Sequence, residues 1–169
     1  MRLHGFALSG VYPVAGSHPK PGRRSAARER ALITVIEQAV QARLVATAPK
    51  VETVPVTLCY DRSDPFAVRM AFPGPATLEG VEVSWTFARE LLEAGLHRPA
   101  GSGDVRVRPY DRERTSIEFH APEGVAIVLV GTPDLHRFLE RAATVTPPGL
   151  EHLYLDLDHG LAELMRGPR

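Results

Sequence analysis

The stretch that decides the fold is residues 81–110, VEVSWTFARELLEAGLHRPAGSGDVRVRPY. Val81, Val83, Trp85 and Phe87 line one face of an extended segment, while Glu82, Ser84 and Thr86 take the other. This period of two is the signature of a strand with one wet face. At Ala88 the spacing changes to that of a helix. Arg89 and Glu93 stand four apart, and Gly95 is placed for a left-handed C-terminal cap. Gly101-Ser102-Gly103-Asp104 then makes a turn, and in VRVRPY Val105 and Val107 oppose Arg106 and Arg108. Strand, short helix, glycine turn and strand within thirty residues predict a small α+β domain.

Working outward, residues 54–60 read as a strand and Asp61-Arg62-Ser63-Asp64-Pro65 as a turn closed by Asx and Ser side chains. In FAVRMAF, Phe66, Val68, Met70 and Phe72 share a face, and Pro73-Gly74-Pro75 ends the strand. Residues 115–120 and 125–130 flank Ala121-Pro122-Glu123-Gly124 as a hairpin. The second arm is apolar throughout, which predicts a central strand covered on both faces. Thr132-Pro133 reads as a hydroxyl cap and first-turn proline, opening a helix with Leu135, Phe138, Leu139 and Ala142 on its buried stripe. After Pro147-Pro148-Gly149, the alternation in HLYLDLDH predicts a last strand, and Leu161, Leu164 and Met165 a short final helix. Residues 31–48 satisfy both helical and strand spacing.

The chain has 169 residues, 44% of them apolar, enough for one core. Positive charge gathers at the start. Residues 1–30 carry Arg2, Lys20, Arg23, Arg24, Arg28 and Arg30 against Glu29, without hydrophobic periodicity, and predict a disordered basic extension. The remainder holds 14 basic and 19 acidic side chains, an unfavourable balance for a general polyphosphate binder. No apolar run approaches bilayer length, and the first residues lack a secretory pattern, so a cytoplasmic address is expected.

The candidates for chemistry are few. His152, Asp156, Asp158 and His159 are metal-ligand types, but on a strand His152 and Asp158 would lie about 20 Å apart. Cys59 is the only cysteine, which excludes an intrachain disulfide or a CxxC pair and suits a buried strand position. No G-x-S-x-G or HExxH motif is present. Gly101-Ser102-Gly103 lacks the lysine and spacing of a phosphate loop, and tolerance of positive φ explains its glycines. His97 is expected to hydrogen-bond locally in its turn. The remaining candidate surface is Arg106, Arg108, Arg112 and Arg114 around Tyr110, interleaved with Asp104, Asp111, Glu113 and Glu118. Arginines on one strand face suit an acidic peptide or a nucleic-acid backbone. Neither an enzyme nor a cofactor is expected.

Three blocks carry a resemblance: YDRSDPFAVRMAF at 60–72, WTFARELLEAGLHRPAGSGDVRV at 85–107 and TPPGLEHLYLDLDHGLAELM at 146–165. In that order they resemble the SsgA-like family, the sporulation and cell division proteins of actinomycetes, over residues 34–165. The resemblance assigns residues 31–169 to an SsgA-like domain and residues 36–46 to a first strand. It implies a curved antiparallel sheet of about seven strands with about three helices on one side. That fold is of the type shared with Whirly single-strand nucleic-acid-binding proteins, and the resemblance further implies assembly as a homotrimer. It implies an adaptor in sporulation-specific division, placing septa or steering wall remodelling, with FtsZ or another family member as partner. The family has no known catalytic residues to transfer. Arg106 and Arg108 are the candidate partner contacts, and single-stranded nucleic-acid binding is the rival reading.

Overall fold

The computed structural model describes residues 34–45, 52–77, 80–122 and 124–154. The expected basic extension and final helix lie outside these residues. One antiparallel sheet dominates, built from β1 (Val35–Val45), β2 (Glu52–Asp61), β3 (Ala67–Phe72), β4 (Val83–Ala88), β5 (Val105–Pro109), β6 (Arg114–Ala121) and β7 (Gly124–Gly131). Their order across the sheet is β4-β3-β2-β1-β7-β6-β5. Two runs of neighbouring strands, β1 to β4 and β5 to β7, thus join along the β1–β7 pair.

Among the described residues there are two α-helices, α1 (Arg89–Gly95) and α2 (Thr132–Val145). The ambiguous segment is a strand. Val40, Ala42 and Leu44 are buried, Gln41 and Arg43 are exposed, and ten residues pair with β2. Pairing on both sides overrides the modest helical preference of Glu, Gln and Ala. β7 lies centrally, as its apolar composition predicts, and Val128, Leu129 and Val130 are all buried. Near the hairpin Val125 is exposed, so coverage of both faces is confined to the far half.

The sheet curls strongly. Phe119 on β6 meets Trp85 on β4 at 5.0 Å between ring centroids, with Phe72 at 5.7 Å and Phe87 at 6.3 Å. β4 and β6 stand five places apart in that order, and in a flat sheet would be about 24 Å apart. Inward residues of all seven strands join Leu135, Phe138, Leu139 and Ala142 of α2 and Leu92 of α1 in one core. Both helices therefore pack on the concave side.

Several local expectations are corrected. Gly95 does not adopt positive φ, and Leu96 caps α1 in a right-handed conformation. Gly95 is there because a Cβ would stand 2.3 Å from the Cβ of Val107, so glycine lets α1 press onto β5. Phe66 falls in the turn before β3 and is 51% exposed, and Val81 precedes β4 at 56%. Thr132 is the first helical residue rather than the cap, and its hydroxyl pairs sideways with that of Thr115 at 2.9 Å. Residues Glu151–Tyr154 form a 3-10 turn, not a strand, because the chain is still folding back after Gly149, whose φ is +86°.

Candidate functional site

The arginine row sits where the alternation placed it. Arg106 and Arg108 project from the outward face of β5, an edge strand, and both are exposed. The sheet supplies much of their counter-charge. Arg108 binds Glu118 of β6 at 2.9 Å, and Glu118 also meets His120 Nε2 at 3.2 Å. Arg106 pairs in register with Glu118. Around the turn, Arg114 Nε donates to Asp111 Oδ2 at 2.8 Å, and its guanidinium covers the ring of exposed Tyr110. Those bonds from Arg114, with the Glu113 and Arg114 amides, hold the Asp111 carboxyl below its usual range. Arg112 is exposed in the same turn. The row is a surface of alternating charge, suited to exchanging one carboxylate partner for another.

A second surface was not read from the sequence. α1, α2 and Pro148 border an open groove of about 510 Å³, which shares Arg89, Glu90, Glu93 and Pro148 with a cleft of about 370 Å³ lined also by Phe66, Gly149 and Glu151. Arg89 forms its backbone. This side chain is buried, with Nε on Glu93 at 3.0 Å, Nη1 on the Thr146 carbonyl at 2.8 Å and the guanidinium over Tyr60. Glu151 approaches at 3.8 Å. The fixed arginine thus ties α1 to the chain following α2. Leu96, Leu139, Ala94 and Ala143 floor the groove, and Glu90, Glu93, Glu140 and Glu151 rim it. The i,i+4 spacing of Arg89 and Glu93 was visible in the sequence. The acidic rim was not, because its four carboxylates come from three separate segments.

Among the described residues the chemistry candidates do not converge. His152 lies in the 3-10 turn, and Asp156, Asp158 and His159 fall outside the described residues. Among the described residues, no group of three His, Cys, Asp or Glu side chains is placed to hold a metal ion. Cys59 is buried and accepts from Arg69 Nη2 at 3.5 Å. The ring of His97 faces that of His136 at 5.9 Å instead of bonding within its own turn, because the turn carries it towards α2. Of the glycine turn, Gly101 alone has positive φ, at +92°. No described helix is long and apolar enough to cross a membrane.

Comparison with known proteins matches residues 54–151 to the family described as Streptomyces sporulation and cell division protein, SsgA. The chain belongs to the SsgA family. Among its relatives, the sporulation-specific cell division protein SsgB of Streptomyces coelicolor is 40% identical over 135 residues, covering 78% of this chain and 96% of that protein. SsgB of Kineococcus radiotolerans is 39% identical over 137 residues, covering 78% and 81%. A solved SsgA-like sporulation-specific cell division protein from Thermobifida fusca superposes with TM-score 0.68 at 34% identity, covering 77% of this chain and 95% of that one. The structure from work on SsgB mutations that correlate to longitudinal cell division during sporulation of Streptomyces coelicolor gives 0.66 at 38%, covering 72% and 96%. The family match takes in β2 to α2 and both surfaces described above.

Proposed function

We propose that this SsgA-family chain is a non-enzymatic adaptor in sporulation-specific cell division. It helps to localise septum formation or wall remodelling at the division septum, working in the cytoplasm as a homotrimer and binding FtsZ or another family member. The observation that carries the reading is its near full-length likeness to SsgB. An adaptor acts by presenting a shaped surface, with apolar area supplying affinity and charged rims supplying selectivity. The groove has that character, with Leu96 and Leu139 below and carboxylates at its rim, while the arginine row supplies charge around the exposed Tyr110 ring. We assign Arg106 and Arg108 to partner contact, with a partner carboxylate replacing Glu118 on Arg108.

The test is affinity capture of tagged full-length chain from a sporulating actinomycete culture. Division, wall-synthesis or family proteins are expected in the eluate, reduced at least tenfold by Arg106→Glu with Arg108→Glu. Equal recovery with that double variant overturns the contact assignment. Absence of every such protein overturns the adaptor. A labelled single-stranded oligonucleotide, measured at two salt concentrations, tests the rival. Tight binding that falls steeply with salt would replace the adaptor by a nucleic-acid binder.

A further inference from the structure

We propose that the basic segment preceding β1, residues 1–33, docks in the acidic groove of its own chain between α1, α2 and residues 146–154. The proposal stands apart from the adaptor reading, since it concerns only which polypeptide occupies the groove.

The groove and the segment carry opposite charge. Glu90, Glu93, Glu140 and Glu151 rim the groove. Of the groups there that can carry positive charge, Arg89 is already bound to Glu93 and to the Thr146 carbonyl, and His97 and His136 lie ring beside ring. No basic side chain among the described residues pairs with Glu90 or Glu140, and both are exposed. The groove is therefore a cation-attracting channel over an apolar floor. Residues 1–33 have the complementary composition, six basic side chains against one acidic, with Leu3, Phe6, Leu8, Val11 and Tyr12 among the apolar ones. Anionic ligands, phosphate and nucleic acid included, are repelled by the same rim.

The segment also joins the fold close to the groove. The Thr34 carbonyl accepts from the Arg62 amide at 2.7 Å, and Arg62 Nη2 donates to the Val145 carbonyl at 2.9 Å. Residue 34 thus stands within one arginine side chain of the chain that walls the groove. Arg30 and Arg28 follow within four and six residues, a reach of about 13–20 Å when extended. Tethering places these cations at an effective concentration on the order of millimolar. At lower protein concentrations the tethered segment therefore outcompetes the same segment of a second copy.

The test uses the full chain, 15N-labelled, with a nitroxide on Ser25→Cys in a Cys59→Ala background. At 20 mM salt the amide signals of Glu90, Glu93, Ala143 and Glu151 should lose at least half their intensity relative to the reduced label. Those of Val45 and Ile127, which pair at the end of β1 about 33 Å along the strand from Val35, should be unchanged. Raising salt to 500 mM, or introducing Arg23→Glu, Arg24→Glu and Arg28→Glu, should restore the groove signals. Lack of selective broadening at low salt, or broadening that survives both treatments, overturns the proposal. So does equal broadening when 15N chain without label is mixed with labelled unenriched chain, since the occupant is then a second copy. Should Cys59→Ala unfold the protein, groove amide shifts are followed between the two salts in the unlabelled chain. They should move in the native sequence and stay still in the triple variant; equal movement in both overturns the idea. A negative result here leaves the captured-partner experiment untouched, so the two failures are separable.

Discussion

The smallest unit with a measurable electrostatic signature is the Asp111–Arg114 pair. Arg114 and two backbone amides bind the Asp111 carboxylate, which lowers its proton affinity in the folded state. A depressed folded value means the pair favours folding above the unfolded carboxylate range. That contribution is lost as pH falls through the depressed value. A carboxyl-carbon NMR titration should give Asp111 a midpoint below 3.8, its unperturbed value. In Arg114→Gln the midpoint should move back up. An unchanged midpoint would mean the amides, not the guanidinium, set it. Because the site is open to solvent, no large effect on overall stability is expected.

Among the elements, α1 shows how close packing can hide behind a familiar signal. Glycine at the end of a helix usually points to a left-handed cap, and that expectation was wrong. Gly95 meets Val107 through its Cα, and a methyl there would overlap the Val107 Cβ. Overpacking costs about 1–3 kcal/mol, while alanine gains about 1 kcal/mol of helix propensity over glycine. Since the obstructing atom is a Cβ rather than a flexible tip, Gly95→Ala should lose about 2 kcal/mol net. A lower urea midpoint at constant slope would report it. Val107→Ala should not rescue the variant, because the clashing Cβ remains.

The same scale explains what the sequence could and could not disclose. Alternation located β3, β4 and β5, since each keeps one face in the core, while the turn signal at 121–124 and an unbroken apolar arm located β6 and β7. The β1 assignment came from family likeness, because its own pattern satisfied both periods. Phe66 was placed inside by parity, yet the turn through Pro65 throws it outward, and parity carries no information where pairing has not begun. The outward pair Arg106 and Arg108 was readable for the converse reason. The acidic groove was not, because it is assembled from residues up to about sixty positions apart.

At the scale of the whole molecule, curvature depends on the aromatic cluster. Phe119 is the hub, touching rings contributed by β3 and β4 from across the concavity. Removing a buried phenylalanine costs about 3–5 kcal/mol, a large share of the roughly 5–15 kcal/mol available to a domain. Phe119→Ala should therefore lower the thermal midpoint by tens of degrees or leave the chain largely unfolded at 37 °C, measured by far-ultraviolet circular dichroism. Phe119→Leu, which keeps most of the volume, should cost much less. Equal losses would argue that ring contacts rather than filled space hold the sheet bent.

The chain has a single tryptophan, and it lies at that hub. Trp85 is buried against a ring from the opposite half of the sheet. Its ultraviolet emission is accordingly a native, label-free gauge of whether the two halves remain closed on one another. Any partner that pries them apart would announce itself as a shift to longer wavelength.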